Sequence, residues 1–231
     1  MLPQEEGVCL RCLPLLPRVH AEAPHNEVEN RLFGRFPFEH ATSFCYYDHD
    51  APVSGIVRQA KYAGRPWLNT EFTRLFVREL QLAAQDPLMN PLSGTVDPLE
   101  EGTTRTPAWP YDIDLIVPIP LHTLRLLRRG YNQAVAIAEA LHEEWHLPIE
   151  TRCLYKRRYT TSQVGLSGHE RLHHEEETFG VRHPERLASR HVLLVDDVLT
   201  TGATLTAAAD ALLAAVPGVR LSILTLSFAR G

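Results

Sequence analysis

The chain of 231 residues is 44% hydrophobic and carries a formal net charge of -5 at pH 7. This length and composition are typical of a globular protein with one substantial domain and a small accessory region. The acidic balance disfavours a protein built mainly to coat nucleic acid, which normally carries a basic excess. The sequence has no long apolar run, and residues 1–6 are acidic where a secretory signal is basic and then apolar, so we expect a cytoplasmic protein without membrane insertion.

The first half of the chain predicts few regular elements. Residues 1–40 are rich in proline, histidine and charge and show little periodicity, which predicts an irregular arm that contributes nothing to the core. A short aromatic and β-branched run predicts a strand over 41–47, and apolar residues at helical spacing predict helices over 52–62 and 69–84 that pack as a pair. Residues 86–110 carry five prolines, which predicts a long loop or linker.

The second half of the chain alternates short aliphatic runs with amphipathic segments, the pattern that builds a parallel sheet from βαβ units. Strands are predicted over 112–117, 190–195 and 221–227, and helices over 131–145 and 204–215.

Three parts follow from these elements. An irregular N-terminal arm spans 1–40, a hood of helices with a proline-rich linker spans 41–110, and an α/β domain with a parallel sheet flanked by helices spans 111–231.

The strongest functional signal follows the strand predicted over 190–195. This strand runs directly into Asp196 and Asp197, and then into Thr-Thr-Gly-Ala-Thr at 200–204 before a helix rich in alanine and leucine. Ligands of open α/β sheets lie beyond the carboxyl ends of the strands, and a helix N-terminus offers unpaired N–H groups and partial positive charge to an anion. Gly202 lets the backbone approach phosphate oxygens, while the threonine hydroxyls add donors and cap the helix. The segment therefore predicts a site for a monophosphate.

The two adjacent carboxylates need a second explanation, because they repel a phosphate. Asp196 and Asp197 can accept hydrogen bonds from the cis hydroxyls of a ribose, and their charge favours a hydrated Mg²⁺ that bridges diphosphate oxygens. An N-capped helix after an acidic strand end is the structural alternative. A strand that ends in acids is also typical of P-loop ATPases, but the chain contains no G-x-x-x-x-G-K-[ST] segment.

Residues 195–204 resemble the signature of type I phosphoribosyltransferases, and the chain as a whole resembles the ComF family of competence-associated proteins. The wider match rests on Lys-Tyr-Ala-Gly-Arg-Pro at 61–66, Val-Pro-Ile-Pro-Leu-His at 117–122, Arg-Gly-Tyr-Asn-Gln at 129–133, Gln-Val-Gly-Leu at 163–166 and Glu-Arg at 170–171. The resemblance implies binding of phosphoribosyl diphosphate with Mg²⁺. It also implies transfer of the phosphoribosyl group to an unidentified nitrogen nucleophile, or a relative that retains the binding alone.

The resemblance also implies the residues of the site. Asp196, Asp197 and Arg171 are the expected catalytic residues, and the last of these would bring positive charge to the departing diphosphate from a flexible loop between residues 152 and 179. The expected substrate-binding residues are Val198, Leu199, Thr200, Thr201, Gly202, Ala203 and Thr204 at the phosphate loop, Pro118, Ile119, Pro120, Leu121 and His122 at a diphosphate loop, and Arg129, Asn132, Gln133 and Gln163.

Some of these residues have structural alternatives. Pro118 and Pro120 would also stiffen a connection. Asn132 and Gln133 lie at a predicted helix start, where such residues are more often caps than ligands. His174 stands where the family usually has asparagine.

The four cysteines are too few and too unevenly placed for a disulfide framework, so we expect reduced thiols. Cys9 and Cys12 have the C-x₂-C spacing of a zinc site, but a closed structural site needs four ligands. His20 and His25 could complete a set for Zn²⁺, and two plain surface histidines are the alternative. Cys45 and Cys153 are expected in the core or incidental.

A rival interpretation is an accessory protein of DNA uptake that binds single-stranded DNA or a component of the uptake machinery. The basic residues that would contact DNA are Arg125, Arg128, Arg129, Lys156, Arg157 and Arg158, for which a solvated surface is the structural alternative. The sequence does not identify the acceptor, and it leaves the oligomeric state open, a homodimer included.

Overall fold

A computed structural model describes residues 13–19, 26–47, 67–85, 113–121, 126–127, 130–157 and 179–230. The strands are β1 (His40–Tyr47), β2 (Leu115–Pro118), β3 (Leu154–Lys156), β4 (Phe179–Val181), β5 (His191–Leu199) and β6 (Arg220–Ala229). The helices with described bounds are α1 (Glu27–Leu32), α2 (Trp67–Gln85), α3 (Gln133–Trp145) and α4 (Ala203–Ala215), and short 3₁₀ turns occupy Leu13–Leu15 and Pro184–Arg186.

The centre of the described chain is a four-stranded sheet in the order β1-β6-β5-β2, with every neighbouring pair parallel. Its inner strands are buried along most of their length, as expected for a parallel sheet covered on both faces, although β6 carries buried serine and threonine residues among its aliphatic ones. Because all four strands point the same way, their carboxyl ends meet at one edge. β3 and β4 form a separate antiparallel ladder.

Helices cover both faces of the sheet. On one face α2 and α3 pack over β5 residues Leu193 and Val195, and the ring of Phe44 in β1 lies 4.8 Å from the rings of both Phe72 and Phe76 in α2. On the other face α1 and α4 pack over the intervening β5 residues, in a core that also contains the β3–β4 ladder. The strand period of two residues therefore divides β5 between two helical layers. The predicted parallel sheet flanked by helices is confirmed.

One strand is longer than the sequence predicted. We expected the strand that starts near residue 190 to end at Val195, but β5 continues to Leu199. The reason is its neighbour β6, since Asp196 pairs with Thr225 and the register continues through Leu199. The helix predicted over 52–62 and the loop over 86–110 lie outside the described residues.

The N-terminal segment differs most from expectation. We predicted no core contribution from residues 1–40, and this was wrong, because Leu16, Val19, Val28 and Leu32 are all buried. The signal was missed because α1 has six residues, too short for a periodic pattern. The strand that we assigned to the hood is β1, which pairs with β6 in the central sheet.

Two further observations bear on the sequence expectations. Cys45 and Cys153 are free and buried, and burial raises the pKa of the Cys45 thiol to about 12 and that of Cys153 to about 11. Within the described ranges, no helix has both the length and the apolar character needed to cross a membrane.

Candidate functional site

Asp196 and Asp197 lie near the carboxyl end of β5, where the sequence placed them. Both residues are half-buried, so they lie neither in the core nor fully in solvent. The backbone N–H of Asp197 donates a 2.9 Å hydrogen bond to Oδ1 of Asp196. Both acids therefore lie within β5 and not in the turn that follows it.

The turn after β5 is short and depends on a glycine. Thr200 and Thr201 are exposed, and Gly202 is buried with a φ of 86°, a left-handed conformation that favours glycine. α4 begins at the next residue, Ala203. This sharp reversal directs the amides at the start of α4 back toward the carboxyl edge of the sheet.

The first turn of α4 carries little side-chain capping. Gly202 has no side chain to act as a cap, and the Thr201 hydroxyl accepts from the Ala203 amide over a long 3.4 Å. The expectation that threonine hydroxyls cap this helix is thus met by one weak contact. Unlike a helix with a strong cap, α4 keeps its first amides available to an anion.

Val198 and Leu199 have a structural part in this site. Val198 pairs with Ser227 and Leu199 with Phe228 of β6, and the Leu199 side chain is buried in the core. Their side chains fix the position of the turn, so contact with a ligand falls to the backbone.

The loop after β2 lies beside the acids. Pro118 pairs with Val195, and the N–H of Ile119 donates a 2.8 Å hydrogen bond to the Val195 carbonyl, one residue before Asp196. Pro120 and Leu121 follow, half-buried. The structure therefore brings together the predicted diphosphate loop and the acidic pair.

Asn132 and Gln133 are held within the protein. Asn132 is the N-cap of α3, since its Oδ1 accepts from the Ala134 amide at 3.1 Å, and its Nδ2 donates to the Ile119 carbonyl at 2.9 Å. Gln133 is 2% exposed. Asn132 is therefore a helix cap, the alternative that the sequence offered. A direct contact of Asn132 or Gln133 with substrate stays a prediction.

A cleft of about 480 Å³ lies on the α3 side of the loop after β2. Its lining residues are Pro118, Pro120, Leu121, Leu126, Tyr131, Asn132, Val135, Ala136, Glu139 and Thr151. The one charged group among them is a carboxylate. The described lining of this cleft is otherwise polar only at Tyr131, Asn132 and Thr151, and it includes the loop after β2.

The contact between α1 and the turn after β5 was not predicted from the sequence. Arg31 donates a 2.7 Å hydrogen bond from Nη1 to the Thr200 carbonyl, across 169 residues of sequence. A Cβ placed on Gly202 would lie 3.1 Å from Cδ2 of Leu32 and 3.3 Å from Nη1 of Arg35. Long-range contacts of this kind leave no local pattern, and we know of no sequence signal that would have found them.

A second cleft, of about 550 Å³, opens beside this contact. It is lined by Glu27, Asn30, Arg31, Phe33, Arg35 and Phe228. Two guanidinium groups against one carboxylate give the cleft an excess of positive charge, next to the turn that carries the predicted phosphate site.

The donor set at the end of β5 suits Mg²⁺. This ion is bound in proteins through one or two carboxylates, with water and substrate phosphates as the other ligands, and Asp196 and Asp197 supply two half-buried carboxylates at one edge. Among the described residues, no group of three or more His, Cys, Asp or Glu could hold a metal by itself.

Several predicted residues fall outside the described part of the chain. They are Cys9, Cys12, His122, Arg129, Gln163 and Arg171. The segment between 152 and 179 was predicted as a flexible loop, but its start forms β3, and Lys156 of β3 pairs with Phe179 at the start of β4.

Comparison with known proteins matches the region of the chain that carries this site. The profile of the phosphoribosyl transferase domain matches residues 120–227. Competence protein F of Haemophilus influenzae is 29% identical over 155 residues, which cover 67% of this chain and 58% of that protein. The DNA utilization protein YhgH of Escherichia coli is 28% identical over 166 residues, which cover 72% of this chain and 63% of that protein. The chain thus spans about six-tenths of the length of these relatives.

Solved structures with some likeness include two enzymes. The glutamine phosphoribosylpyrophosphate amidotransferase of B. subtilis superposes with a TM-score of 0.39 at 16% identity, over 72% of this chain and 30% of that one. Adenine phosphoribosyltransferase of Leishmania tarentolae gives a TM-score of 0.37 at 12% identity, over 77% and 76% of the two chains.

Proposed function

We propose that this chain, which is similar to competence protein F and to the phosphoribosyl transferase domain, binds phosphoribosyl diphosphate with Mg²⁺ and transfers the phosphoribosyl group to a nitrogen nucleophile. The observation that carries the proposal is the end of β5. Two half-buried carboxylates, a left-handed Gly202 and the start of α4 follow one another there at the ligand-bearing edge of the sheet.

The 5′-phosphate binds at the turn between β5 and α4. The first amides of an α-helix have no partner within the helix, and the aligned peptide dipoles add about half a positive charge at that end. The missing side chain of Gly202 lets the phosphate approach the backbone. Thr200 and Thr201, both exposed, add hydroxyl donors.

The ribose binds at the acidic pair. Asp196 and Asp197 accept hydrogen bonds from the ribose hydroxyls, and their negative charge attracts the metal that accompanies the diphosphate. When bound, Mg²⁺ neutralises diphosphate oxygens and orients them. Pairing of Asp196 with Thr225 of β6 holds the backbone that carries the acidic pair, and the Asp197 amide donates to Oδ1 of Asp196.

The diphosphate binds toward the loop after β2, which a hydrogen bond holds against Val195. In the reaction the nucleophile's nitrogen forms a bond to the ribose anomeric carbon as the bond from that carbon to the diphosphate oxygen breaks. The diphosphate leaves with the electron pair, and the nitrogen loses its proton. Arg171, in the segment between β3 and β4, would stabilise the departing charge, while that segment excludes water from the oxocarbenium-like state.

Calorimetry with phosphoribosyl diphosphate and Mg²⁺ tests this proposal. We expect the unmodified protein to bind, and the Asp196→Asn, Asp197→Asn double variant to lose affinity by roughly 100-fold or more, because hydrogen bonds to charged groups contribute about 1.5–3 kcal/mol each. Asp210→Asn, at an exposed position on α4, is the matched control and should bind normally. Equal binding by the double variant and the unmodified protein would remove the proposal. A screen of nucleobases and amines for diphosphate release then identifies the acceptor.

The names of the curated relatives favour a second candidate, an accessory role in DNA uptake through binding of single-stranded DNA. Lys156 and Arg157 are the described members of the predicted basic surface, with Nζ of Lys156 lying 5.4 Å from the centroid of the Phe179 ring. Fluorescence anisotropy with a labelled oligothymidine at two salt concentrations tests this candidate. We expect salt-sensitive binding that falls in Lys156→Ala, Arg157→Ala but not in Arg220→Ala, an exposed control on β6. No binding at low salt would exclude it.

A further inference from the structure

The N-terminal helix α1 is joined to the phosphate-binding turn by a direct hydrogen bond. Nη1 of Arg31 lies 2.7 Å from the carbonyl oxygen of Thr200, the first residue after β5. The guanidinium carbon of Arg31 also lies 4.9 Å from the centroid of the Phe228 ring in β6. The guanidinium is thus held by two contacts, with the Phe228 ring and with the Thr200 carbonyl, which limits the freedom of that carbonyl.

The planar peptide bond couples the orientation of the Thr200 carbonyl to that of the Thr201 amide. In a planar trans peptide the C=O of one residue and the N–H of the next point in opposite directions. A guanidinium that fixes the Thr200 carbonyl toward α1 therefore fixes the Thr201 N–H away from α1. Thr201 belongs to the turn whose amides would hold the 5′-phosphate, so Arg31 controls the direction of one of these donors.

The neighbouring contacts support the same arrangement. The buried Leu32 side chain and the Arg35 guanidinium close around Gly202, at 3.1 Å and 3.3 Å from the position that a Cβ would occupy. Within the described part of the chain, no carboxylate lies at salt-bridge distance from Arg35, and its charge faces the cleft of about 550 Å³ beside the turn. α1 therefore both braces the turn and adds positive charge next to it.

We propose that Arg31 is a positioning residue for the sugar-phosphate site, and that α1 is thereby part of the substrate-binding machinery. This inference rests on the proposed function. Arg31 acts through the backbone of the turn: it holds the Thr200 carbonyl away from the ligand, so that the Thr201 amide can face the phosphate without a rearrangement on binding. A carbonyl free to rotate would instead present partial negative charge to the phosphate.

A purely structural role for Arg31 makes a different prediction. If the guanidinium only packs on the Phe228 ring, then Arg31→Met, whose thioether can also pack on an aromatic ring, leaves ligand binding unchanged. If the guanidinium orients the turn, Arg31→Met removes the donor, whereas Arg31→Lys keeps a charged donor and restores much of the binding. Arg186→Met, which removes a guanidinium that contacts Glu150 away from the turn, is the matched control.

Calorimetry with two separate probes, ribose 5-phosphate and inorganic pyrophosphate, tests the inference. We expect Arg31→Met to raise the Kd for ribose 5-phosphate roughly ten-fold and to leave the Kd for pyrophosphate unchanged, because a charge-assisted hydrogen bond is lost at the phosphate turn alone. Arg31→Lys should stay within about three-fold of the unmodified protein, and Arg186→Met should match it. Unchanged ribose 5-phosphate binding by Arg31→Met overturns the inference and leaves the proposed function intact. If the unmodified protein binds neither probe, the proposed function fails and the inference fails with it.

Hydrogen exchange in the ligand-free protein gives a second readout. The amides of residues 201–203 should exchange faster in Arg31→Met than in the unmodified protein, while the amides of β5 and β6 keep their protection. Equal exchange at the turn would contradict the inference. Arg31→Gln replaces Arg31→Met if the latter does not fold, with the same expected and contradicting results.

Discussion

The side-chain amide of Asn132 donates a 2.9 Å hydrogen bond to the carbonyl of Ile119, so the residue that caps α3 also holds the loop after β2. The amide of the same Ile119 donates to Val195 on the other side. The loop is therefore fixed between α3 and β5, with its position set relative to Asp196. If the loop binds the diphosphate and Asp196 the ribose, as proposed, these two hydrogen bonds keep the two sites at a constant separation.

Asn132→Asp separates the two roles of this side chain. Aspartate is as good an N-cap as asparagine, so the contact with the Ala134 amide remains. The donor to Ile119 is lost, and a carboxylate now faces a carbonyl oxygen. We expect a loss of about 1–2 kcal/mol in the free energy of unfolding and weaker binding of inorganic pyrophosphate, measured by urea titration and calorimetry.

The control for this prediction is Asn132→Ser, which keeps a capping oxygen but is too short to reach Ile119 in the same way. It should weaken pyrophosphate binding without introducing a charge. Pyrophosphate affinity that stays normal in both variants would show that the loop keeps its position without the Asn132 contact.

Gly202→Ala should damage the phosphate turn. The residue has a φ of 86°, where an L side chain costs about 1–2 kcal/mol, and the new methyl group would meet Leu32 and Arg35 at 3.1 Å and 3.3 Å. We expect a lower unfolding midpoint together with loss of ribose 5-phosphate binding. Thermal unfolding and calorimetry measure the two effects separately.

Gly218→Ala provides a matched comparison for that variant. Gly218 also has a positive φ, of 67°, and a Cβ there would lie 3.1 Å from the Ser189 hydroxyl, in the turn before β6 at the opposite edge of the sheet. It should cost similar stability and leave ligand binding intact. If both variants bound ribose 5-phosphate normally, Gly202 would serve folding alone.

Local sequence patterns predicted the order of elements around Asp196, because an aliphatic strand, two acids, a threonine-glycine turn and a helix follow one another within a few residues. They did not predict that β5 extends to Leu199, since this depends on its pairing with β6. They also gave no sign of the contact between Arg31 and Thr200. That contact joins segments 169 residues apart, and it forms only once β1 is in the central sheet and α1 packs on its face.

Cys45 and Cys153 should resist thiol reagents in the folded protein. Burial raises the pKa of Cys45 to about 12 and that of Cys153 to about 11, so both thiols stay protonated near neutral pH, and the thiolate is the reactive form. In a Cys9→Ser, Cys12→Ser variant we expect almost no reaction with a colorimetric disulfide reagent at pH 8. Two equivalents should react after unfolding in guanidinium chloride. Rapid labelling of the folded variant would contradict the burial of these thiols.

The Glu150 carboxyl should make the free energy of unfolding depend on pH. Burial acts to raise the pKa of this carboxyl, but hydrogen bonds from the Arg152 backbone amide at 2.7 Å and the Arg186 guanidinium at 3.3 Å outweigh burial and lower the pKa. A carboxyl whose pKa is lower in the folded state stabilises the protein above its unfolded pKa of about 4.3, and this contribution is lost as the pH falls through the folded value. We therefore expect Glu150→Gln to have a lower free energy of unfolding than the unmodified protein at pH 7. The loss should be at most about 1 kcal/mol, because Arg186 is half exposed, and it should shrink toward pH 3. Urea unfolding at a series of pH values measures this, with the exposed Glu139→Gln as a control. A stability difference that stays constant from pH 7 to pH 3 would show that the Glu150 charge is not its source.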